Sequence, residues 1–205
     1  IKFNISKIYY ETYRIDKAKE LLAEIAQSPD SPTILVVKSY VQLAGFEEEA
    51  LMPDKAFNYY KLALNRADEI VDIAILSELY FKYALIMDDK NDIKTALDFY
   101  NRCINLGGDS KTNKFLSSAY SNIATLNLEK NDIENAMRNY KKAFEIDEQS
   151  NNLEGTYYSS SKLASILHRK NSDNAFQYFN IALDCAKKLD DIFYIISATL
   201  AIGDY

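Results

Sequence analysis

Few residues in this chain have the type and the spacing that catalysis or metal binding requires. The 205 residues include a single histidine, His168, and two cysteines, Cys103 and Cys185, which lie far apart and outside any Cys-x-x-Cys motif. Neither a glycine-rich phosphate loop nor a His-Glu-x-x-His motif occurs in the sequence. We therefore expect no enzymatic activity, no catalytic residue, no metal site and no cofactor, and we interpret both cysteines as reduced thiols of a core.

The charge of the chain limits the classes of partner that it is expected to bind. It carries 24 Lys and Arg against 30 Asp and Glu, a formal net charge of −6. Because binding to a phosphate backbone depends on basic surfaces, we expect no direct contact with nucleic acid. Charged residues interrupt every apolar stretch before the roughly 20 residues that a membrane-spanning helix needs, so we expect no membrane insertion by this segment. We expect a cytoplasmic location.

The composition and one recurring motif predict the fold class. Hydrophobic residues make up 48% of the chain, which has only 5 Gly and 3 Pro, so we predict an all-α protein. The motifs Lys90-Asn91-Asp92-Ile93 and Lys130-Asn131-Asp132-Ile133 begin 40 residues apart, and Lys170-Asn171 begins 40 residues later again. The chain therefore contains an internal repeat of about 40 residues.

Each repeat has the pattern of two helices that form a hairpin. The first helices carry a small residue, at Ala44, Ala84, Ala124 and Ala164. The second helices carry an alanine followed four positions later by an aromatic residue, at Ala56 and Tyr60, Ala96 and Tyr100, Ala136 and Tyr140, and Ala175 and Phe179. Small residues predict close contact between the two helices, and the aromatic residues are expected to fill the space between neighbouring hairpins. Asn91, Asn131 and Asn171 suit the turn, because asparagine tolerates the left-handed backbone that ends a helix.

These patterns resemble the tetratricopeptide repeat, which has A-x3-[FY] in its second helix and W-x2-L-G-x2-Y in its first. Ile5-Ser6-x-x-Tyr9 and Ile202-Gly203 match the first-helix pattern at the two ends, so the resemblance covers essentially the whole chain. Tyr40, Tyr80 and Tyr120 replace the Trp, and the unit is longer than the usual length of about 34 residues. The resemblance implies an α-α superhelix, a tetratricopeptide-like solenoid.

We predict one solenoid domain over residues 1–205, with about five helical hairpins and a terminal helix. Helices are expected at 1–13, 16–27, 33–49, 53–69, 72–88, 92–106, 112–129, 133–149, 152–169, 173–189 and 191–205. Both end segments have a helical pattern and the chain does not begin with Met, so we expect it to be an excerpt of a longer protein. Self-association through the terminal helices is a further expectation.

The first helices of stacked hairpins are expected to line a concave groove, where we place the candidate binding site. Its predicted residues are Gln42, Phe81, Lys82, Leu85, Ser121, Asn122, Thr125, Tyr158, Ser161 and Lys162. The amide of Asn122 offers a donor and an acceptor to the backbone of a bound peptide. Chaperone adaptors of the family hold a terminal carboxylate with Lys, Asn and Arg, and Lys82, Asn122 and Lys162 match only part of that set.

Two functions follow from this sequence. The first is a non-catalytic scaffold that binds a protein or peptide on the concave face. The alternative is a ligand-sensing regulatory segment of a larger signalling protein, such as a transcription regulator or a kinase.

Overall fold

The structure, a computed structural model, describes residues 1–108 and 112–203, and these ranges contain eleven α-helices and no strand. The helices are α1 (Lys2–Glu11), α2 (Ile15–Gln27), α3 (Thr33–Glu49), α4 (Pro53–Leu64), α5 (Ile73–Asp89), α6 (Ile93–Asn105), α7 (Asn113–Glu129), α8 (Ile133–Gln149), α9 (Leu153–Arg169), α10 (Ala175–Leu189) and α11 (Ile192–Gly203). The chain divides into two compact units, Ile1–Arg102 and Cys103–Tyr205, with the boundary inside α6. That the whole chain forms a single domain remains a prediction.

The small residues of the first helices lie at the helix contacts, as predicted. Ala44 on α3, Ala84 on α5, Ala124 on α7 and Ala164 on α9 are all fully buried. In the second unit, Ala124 belongs to one apolar cluster with Tyr140 of α8 and Leu163 of α9. A larger side chain at these alanines has no space between the helices, which explains why the repeat places a small residue there.

The aromatic residues of the second helices form the core, which confirms their predicted role. Tyr60, Tyr100 and Tyr140 are fully buried, and Phe179 is 4% exposed. The two cysteines are also buried, and burial raises the pKa of the Cys103 thiol to about 12. A thiol in such a setting stays protonated at neutral pH and is unreactive, in agreement with a structural role.

The turns between the first and second helices have the predicted backbone. Asn91, Asn131 and Asn171 have φ angles of 60°, 58° and 53°, which is the left-handed region that asparagine tolerates. The next residue caps the second helix in two of these turns, since the Asp92 carboxylate accepts the Thr95 N–H and the Asp132 carboxylate accepts the Asn135 N–H.

The described helix bounds lie within two residues of the prediction except at the end of α4. The helix expected over 53–69 ends at Leu64, and a short 3-10 turn follows at Ala67–Glu69. Next to this turn, the Arg66 guanidinium donates to the Thr33 hydroxyl at the start of α3 at a distance of 2.8 Å. The helix expected from 173 begins at Ala175, because the chain first makes a turn from Ser172. Residues 204–205 of the last predicted helix lie outside the described residues.

Within the described part of the chain, no helix combines the length and the apolar character required to cross a bilayer.

Candidate functional site

Four of the ten predicted site residues lie in the first unit, on α3 and α5, and we refer to them as the α3–α5 surface. Gln42 is on α3, and Phe81, Lys82 and Leu85 are on α5. Gln42, Lys82 and Leu85 are half-buried, whereas Phe81 is only 9% exposed and contacts the buried Tyr100 ring at a centroid distance of 6.0 Å. Phe81 therefore contributes packing below the surface rather than area for a ligand.

An ion pair joins α3 to α5 at this surface. The Lys82 ammonium donates to the Glu48 carboxylate at 2.7 Å, and both side chains are about one-third exposed or less. The Tyr60 hydroxyl, buried beneath, also hydrogen-bonds to Glu48, and burial followed by the charge of Glu48 raises the pKa of Tyr60. Lys82 is consequently already paired, so a ligand has to compete with Glu48 for it.

The six other predicted residues lie in the second unit, on α7 and α9, and we refer to them as the α7–α9 surface. They are Ser121, Asn122 and Thr125 on α7, and Tyr158, Ser161 and Lys162 on α9. Ser121 is buried, Tyr158 is 39% exposed, and the remaining four are half-buried. The exposed polar groups of this surface thus come from both first helices of the unit.

Hydroxyl groups connect α7, α8 and α9 at this surface. The Thr125 hydroxyl lies 2.9 Å from the buried Tyr140 hydroxyl and 3.5 Å from the Tyr158 hydroxyl. Burial, together with the neighbouring Tyr158, raises the pKa of Tyr140, although the hydrogen bond with Thr125 opposes this effect. Each hydroxyl is both a donor and an acceptor, so the exposed Tyr158 retains hydrogen-bonding capacity toward solvent or a ligand.

Lys162 supplies the positive charge of the α7–α9 surface. Its ammonium lies 5.3 Å from the centroid of the Tyr158 ring, one turn earlier on α9. Within residues 1–108 and 112–203, no carboxylate lies within ion-pair distance of this ammonium. A half-buried cation held by a ring rather than by an acid is available to a negatively charged or carbonyl group of a ligand.

A buried carboxylate fixes the helices that carry this surface. Asp147 of α8 is 2% exposed, accepts a hydrogen bond from the Asn152 amide at 2.8 Å and also bonds to Ser117 of α7. Burial raises the pKa of Asp147, and these two hydrogen bonds oppose the shift. A Cβ atom on Gly155 of α9 would lie 2.3 Å from the Asp147 Cγ, so α9 approaches this carboxylate as closely as a glycine permits.

Sequence analysis missed the partners of the buried tyrosines, although the repeat contains the signal. Positions 48, 88, 128 and 168 are equivalent at the spacing of 40 and hold Glu48, Asp88, Leu128 and His168. Glu48 and Asp88 bond to the buried tyrosines of their own repeats, the latter at 3.3 Å from the Tyr100 hydroxyl. Where the acid is replaced by Leu128, the tyrosine hydroxyl contacts Thr125 instead.

Both surfaces carry polar groups that are suited to binding a ligand. Among the described residues, no group of three or more His, Cys, Asp or Glu side chains is placed to hold a metal ion. The single histidine, His168, lies edge-on to the Phe179 ring at a centroid distance of 6.4 Å, in a structural setting. Paired ions, hydroxyls and a half-buried lysine on rigid helices form a polar surface of fixed geometry.

Residues 117–150, which include most of α7 and all of α8, match the family model described as the tetratricopeptide repeat. This segment is the hairpin that contains Ala124 and Tyr140, two of the residues on which the resemblance rests. The predicted resemblance to the tetratricopeptide repeat is thereby confirmed for this hairpin. No curated protein sequence matches the chain.

Solved structures share the fold over nearly the whole chain. Aspartyl phosphate phosphatase F from Bacillus subtilis is 14% identical with a TM-score of 0.74, over 98% of this chain and 53% of that one. A second similar structure is a signal transduction ATPase with numerous domains and a tetratricopeptide repeat sensor, from Pyrococcus horikoshii. It is 18% identical with a TM-score of 0.72, and the match covers 98% of this chain and 31% of the ATPase. MamA is 17% identical with a TM-score of 0.65, and the match covers 91% of this chain and 96% of MamA.

These likenesses establish the fold class, an all-α solenoid of tetratricopeptide type, as predicted. The chain spans about half the length of the phosphatase and of the similar structure of RapI. Folds of this type are typical of scaffolds for protein–protein interaction.

Proposed function

We propose that this chain is a non-catalytic scaffold that binds an extended protein or peptide segment on its first helices, with the α7–α9 surface as the main site. The observation that carries the proposal is the half-buried Lys162, which is held over the Tyr158 ring without an acidic partner among the described residues. A cation kept in place without an ion pair costs little to engage with a ligand.

The neighbouring groups of the α7–α9 surface match the chemistry of a peptide backbone. The Asn122 amide lies about one turn before Thr125 on α7 and provides both donor and acceptor groups, and the Tyr158 hydroxyl can also donate and accept. Lys162 is suited to a carboxylate or a carbonyl oxygen of the same segment. We also propose a separate contact area for the ligand in the first unit, formed by the predicted residues Gln42, Lys82 and Leu85. In this area Lys82 is already paired with Glu48.

The experiment selects peptides of about 12 residues from a displayed random library and measures their affinity for the chain by calorimetry. We expect Lys162→Ala and Asn122→Ala each to weaken binding by about tenfold, since each removes a charge-assisted or bidentate contact of roughly 1.4 kcal/mol. Lys142→Ala on α8 is the matched control, because it removes an exposed lysine outside both surfaces. Equal affinity for all four proteins contradicts the site, and the absence of any enriched peptide contradicts the function.

A second candidate function is that of a ligand-sensing regulatory segment in a larger signalling protein, for example a transcription regulator or a kinase. It is supported by the similarity to the tetratricopeptide repeat sensor of a signal transduction ATPase. The two candidates differ in what the bound ligand does. Under this second function the selected peptide alters the activity of the full-length protein, whereas under the first it is only recruited.

The proposal also includes a cytoplasmic location, one domain over residues 1–205 and self-association through the terminal helices. The exposed apolar residues of α11 support the last of these, since Phe193 is 80% exposed and Leu200 is 64% exposed. Sedimentation of the chain and of its Phe193→Ser variant over a range of concentrations tests it. Dimers that form only with Phe193 support self-association, and a monomer at all concentrations contradicts it.

A further inference from the structure

An apolar cleft lies in the first unit, outside the α7–α9 surface. It is formed by the end of α3, the start of α4 and the last turns of α5, and its volume is about 480 Å³. The residues that line it are Glu48, Leu51, Pro53, Leu85, Ile86 and Asp89. Leu85 is the one member of the predicted site that the cleft includes, so the cleft is largely a surface that sequence analysis did not identify.

Leu51 at the edge of this cleft has a backbone that does not suit a leucine. Its φ angle is 56°, in the left-handed region that is unfavourable for a bulky residue. At the spacing of 40 the equivalent residues are Asn91, Asn131 and Asn171, which adopt the same conformation at lower cost. The turn itself therefore does not require an apolar side chain at residue 51.

The Leu51 side chain also gains little from burial, because it is 87% exposed. The strained backbone lowers the stability of the free chain, and the exposed side chain returns no stabilisation from burial. Backbone strain of this kind is typical of functional positions, and a leucine beside an apolar cleft offers area for contact with another molecule.

The charge of the cleft indicates what that molecule carries. Two carboxylates line it, Glu48 from α3 and Asp89 from α5, and none of its lining residues is a lysine or an arginine. Lys82 pairs with Glu48 and Lys90 pairs with Asp54 at 2.8 Å, so Asp89 is the carboxylate of the cleft that has no ion pair among the described residues. The cleft thus combines an apolar floor with an acidic edge, which complements an apolar group next to a cation.

We propose that this cleft binds a partner peptide through one bulky apolar side chain that is adjacent in sequence to an arginine or a lysine. The apolar side chain lies between Leu51, Leu85 and Ile86, and the adjacent cation lies near Asp89. This site is independent of the α7–α9 surface, so either site stands if the other fails.

The experiment measures the fluorescence anisotropy of labelled Gly-Ser peptides with a central Phe-Arg, Phe-Gln, Phe-Glu or Ser-Arg pair, titrated with the full chain. We expect saturable one-to-one binding of Phe-Arg, about fivefold weaker binding of Phe-Glu, and the weakest binding for Ser-Arg. Leu51→Asn is expected to weaken the binding of Phe-Arg by about tenfold. The same substitution is expected to raise the melting temperature by about 2–4 °C, because it relieves the strained backbone.

Val71→Asn is the matched control, since Val71 is an apolar residue that is 92% exposed and does not line the cleft. It is expected to leave the affinity for Phe-Arg unchanged. Equal affinities of wild type and Leu51→Asn overturn the proposal, as do equal affinities for Phe-Arg and Phe-Glu. The proposal is also overturned if the wild-type chain forms a dimer and Leu51→Asn abolishes that dimer, because a second copy of the chain then occupies the cleft. Lys162→Ala is expected to leave Phe-Arg binding intact, which separates this test from that of the proposed function.

Discussion

The Thr125 hydroxyl lies 2.9 Å from the Tyr140 hydroxyl, and this contact replaces the carboxylate that bonds to the equivalent tyrosine in the two preceding repeats. The buried tyrosine is common to all three repeats, but its polar partner changes where Leu128 takes the place of an acid. One consequence is that Tyr140, beneath the surface that carries Lys162, has a neutral hydroxyl rather than a carboxylate as its nearest polar partner. The charge of that surface is accordingly free of an internal competitor.

This contact yields a first prediction. Thr125→Val keeps the shape of the side chain but leaves the fully buried Tyr140 hydroxyl without its nearest partner, so we expect a loss of about 1–3 kcal/mol in the free energy of unfolding. Urea denaturation measures it. Thr125→Ser retains the hydroxyl and is expected to lose less, and the double variant Thr125→Val with Tyr140→Phe is expected to recover part of the loss. An unchanged unfolding midpoint for Thr125→Val contradicts the contact.

A second prediction compares two helical glycines. Alanine is normally favoured over glycine inside a helix by about 0.5–1 kcal/mol, and Gly45→Ala on α3 is expected to show this gain because no atom lies within 4 Å of its added Cβ. Gly155→Ala is expected to destabilise the chain instead, since its Cβ would clash with Asp147 and Asn152. Thermal unfolding of both variants is the measurement. If both melt above the wild type, α9 does not approach Asp147 as described.

A third prediction concerns pH. Because burial raises the pKa of Asp147 above its ordinary value near 3.8, the folded state favours the protonated carboxyl. The stabilising contribution of this group is complete below its unfolded pKa and is lost as the pH rises through its folded pKa. The stability of wild type relative to Asp147→Asn is therefore expected to fall as the pH rises from the ordinary value near 3.8 through the higher pKa of the folded state.

Denaturation of both proteins across this range gives the difference directly. Carboxylates with lowered pKa, such as Asp92 and Asp132, contribute equally to both proteins and cancel. A stability difference that does not change with pH shows that Asp147 titrates in the folded chain as it does in the unfolded one.

A fourth prediction tests the register of the hairpins. Ala124 of α7 is fully buried against α8 and α9, so Ala124→Phe is expected to cost about 1–3 kcal/mol or more by overpacking. Glu129→Phe, at the exposed end of the same helix, serves as the control and is expected to change stability little. Calorimetry measures both, and an unchanged melting curve for Ala124→Phe shows that the register is wrong.

Much of the fold follows from the sequence because the repeat supplies the same information several times. The small residues at Ala44, Ala84, Ala124 and Ala164 and the buried tyrosines were predicted from spacing alone, and a helical hairpin is a local structure. The end of α4 at Leu64 was not predicted, and the contact of Arg66 with Thr33 that follows it joins residues distant in sequence, which helical periodicity does not report.

The candidate site is less evident from the sequence than the fold is. Helical periodicity places Phe81 and Ser121 on the stripe that faces the groove, with Lys82 and Asn122 at neighbouring positions, yet Phe81 and Ser121 are buried. The degree of burial depends on how neighbouring helices tilt, which periodicity does not specify. The unusual leucine beside the cleft, Leu51, could be identified from the sequence, since comparing it with the three equivalent asparagines needs only the spacing of 40.

The most direct test of the account is a map of the bound peptide on the chain. Backbone amide NMR spectra of the chain, recorded during titration with the peptide selected in the binding experiment, report which residues sense the ligand. We predict that the largest shifts occur on the α7–α9 surface, at Asn122, Thr125 and Ser161, and that Lys162→Ala needs about tenfold more peptide to produce them. Shifts confined to α8 and α10, with no change on α7 or α9, would contradict the claim that the first helices bind the ligand.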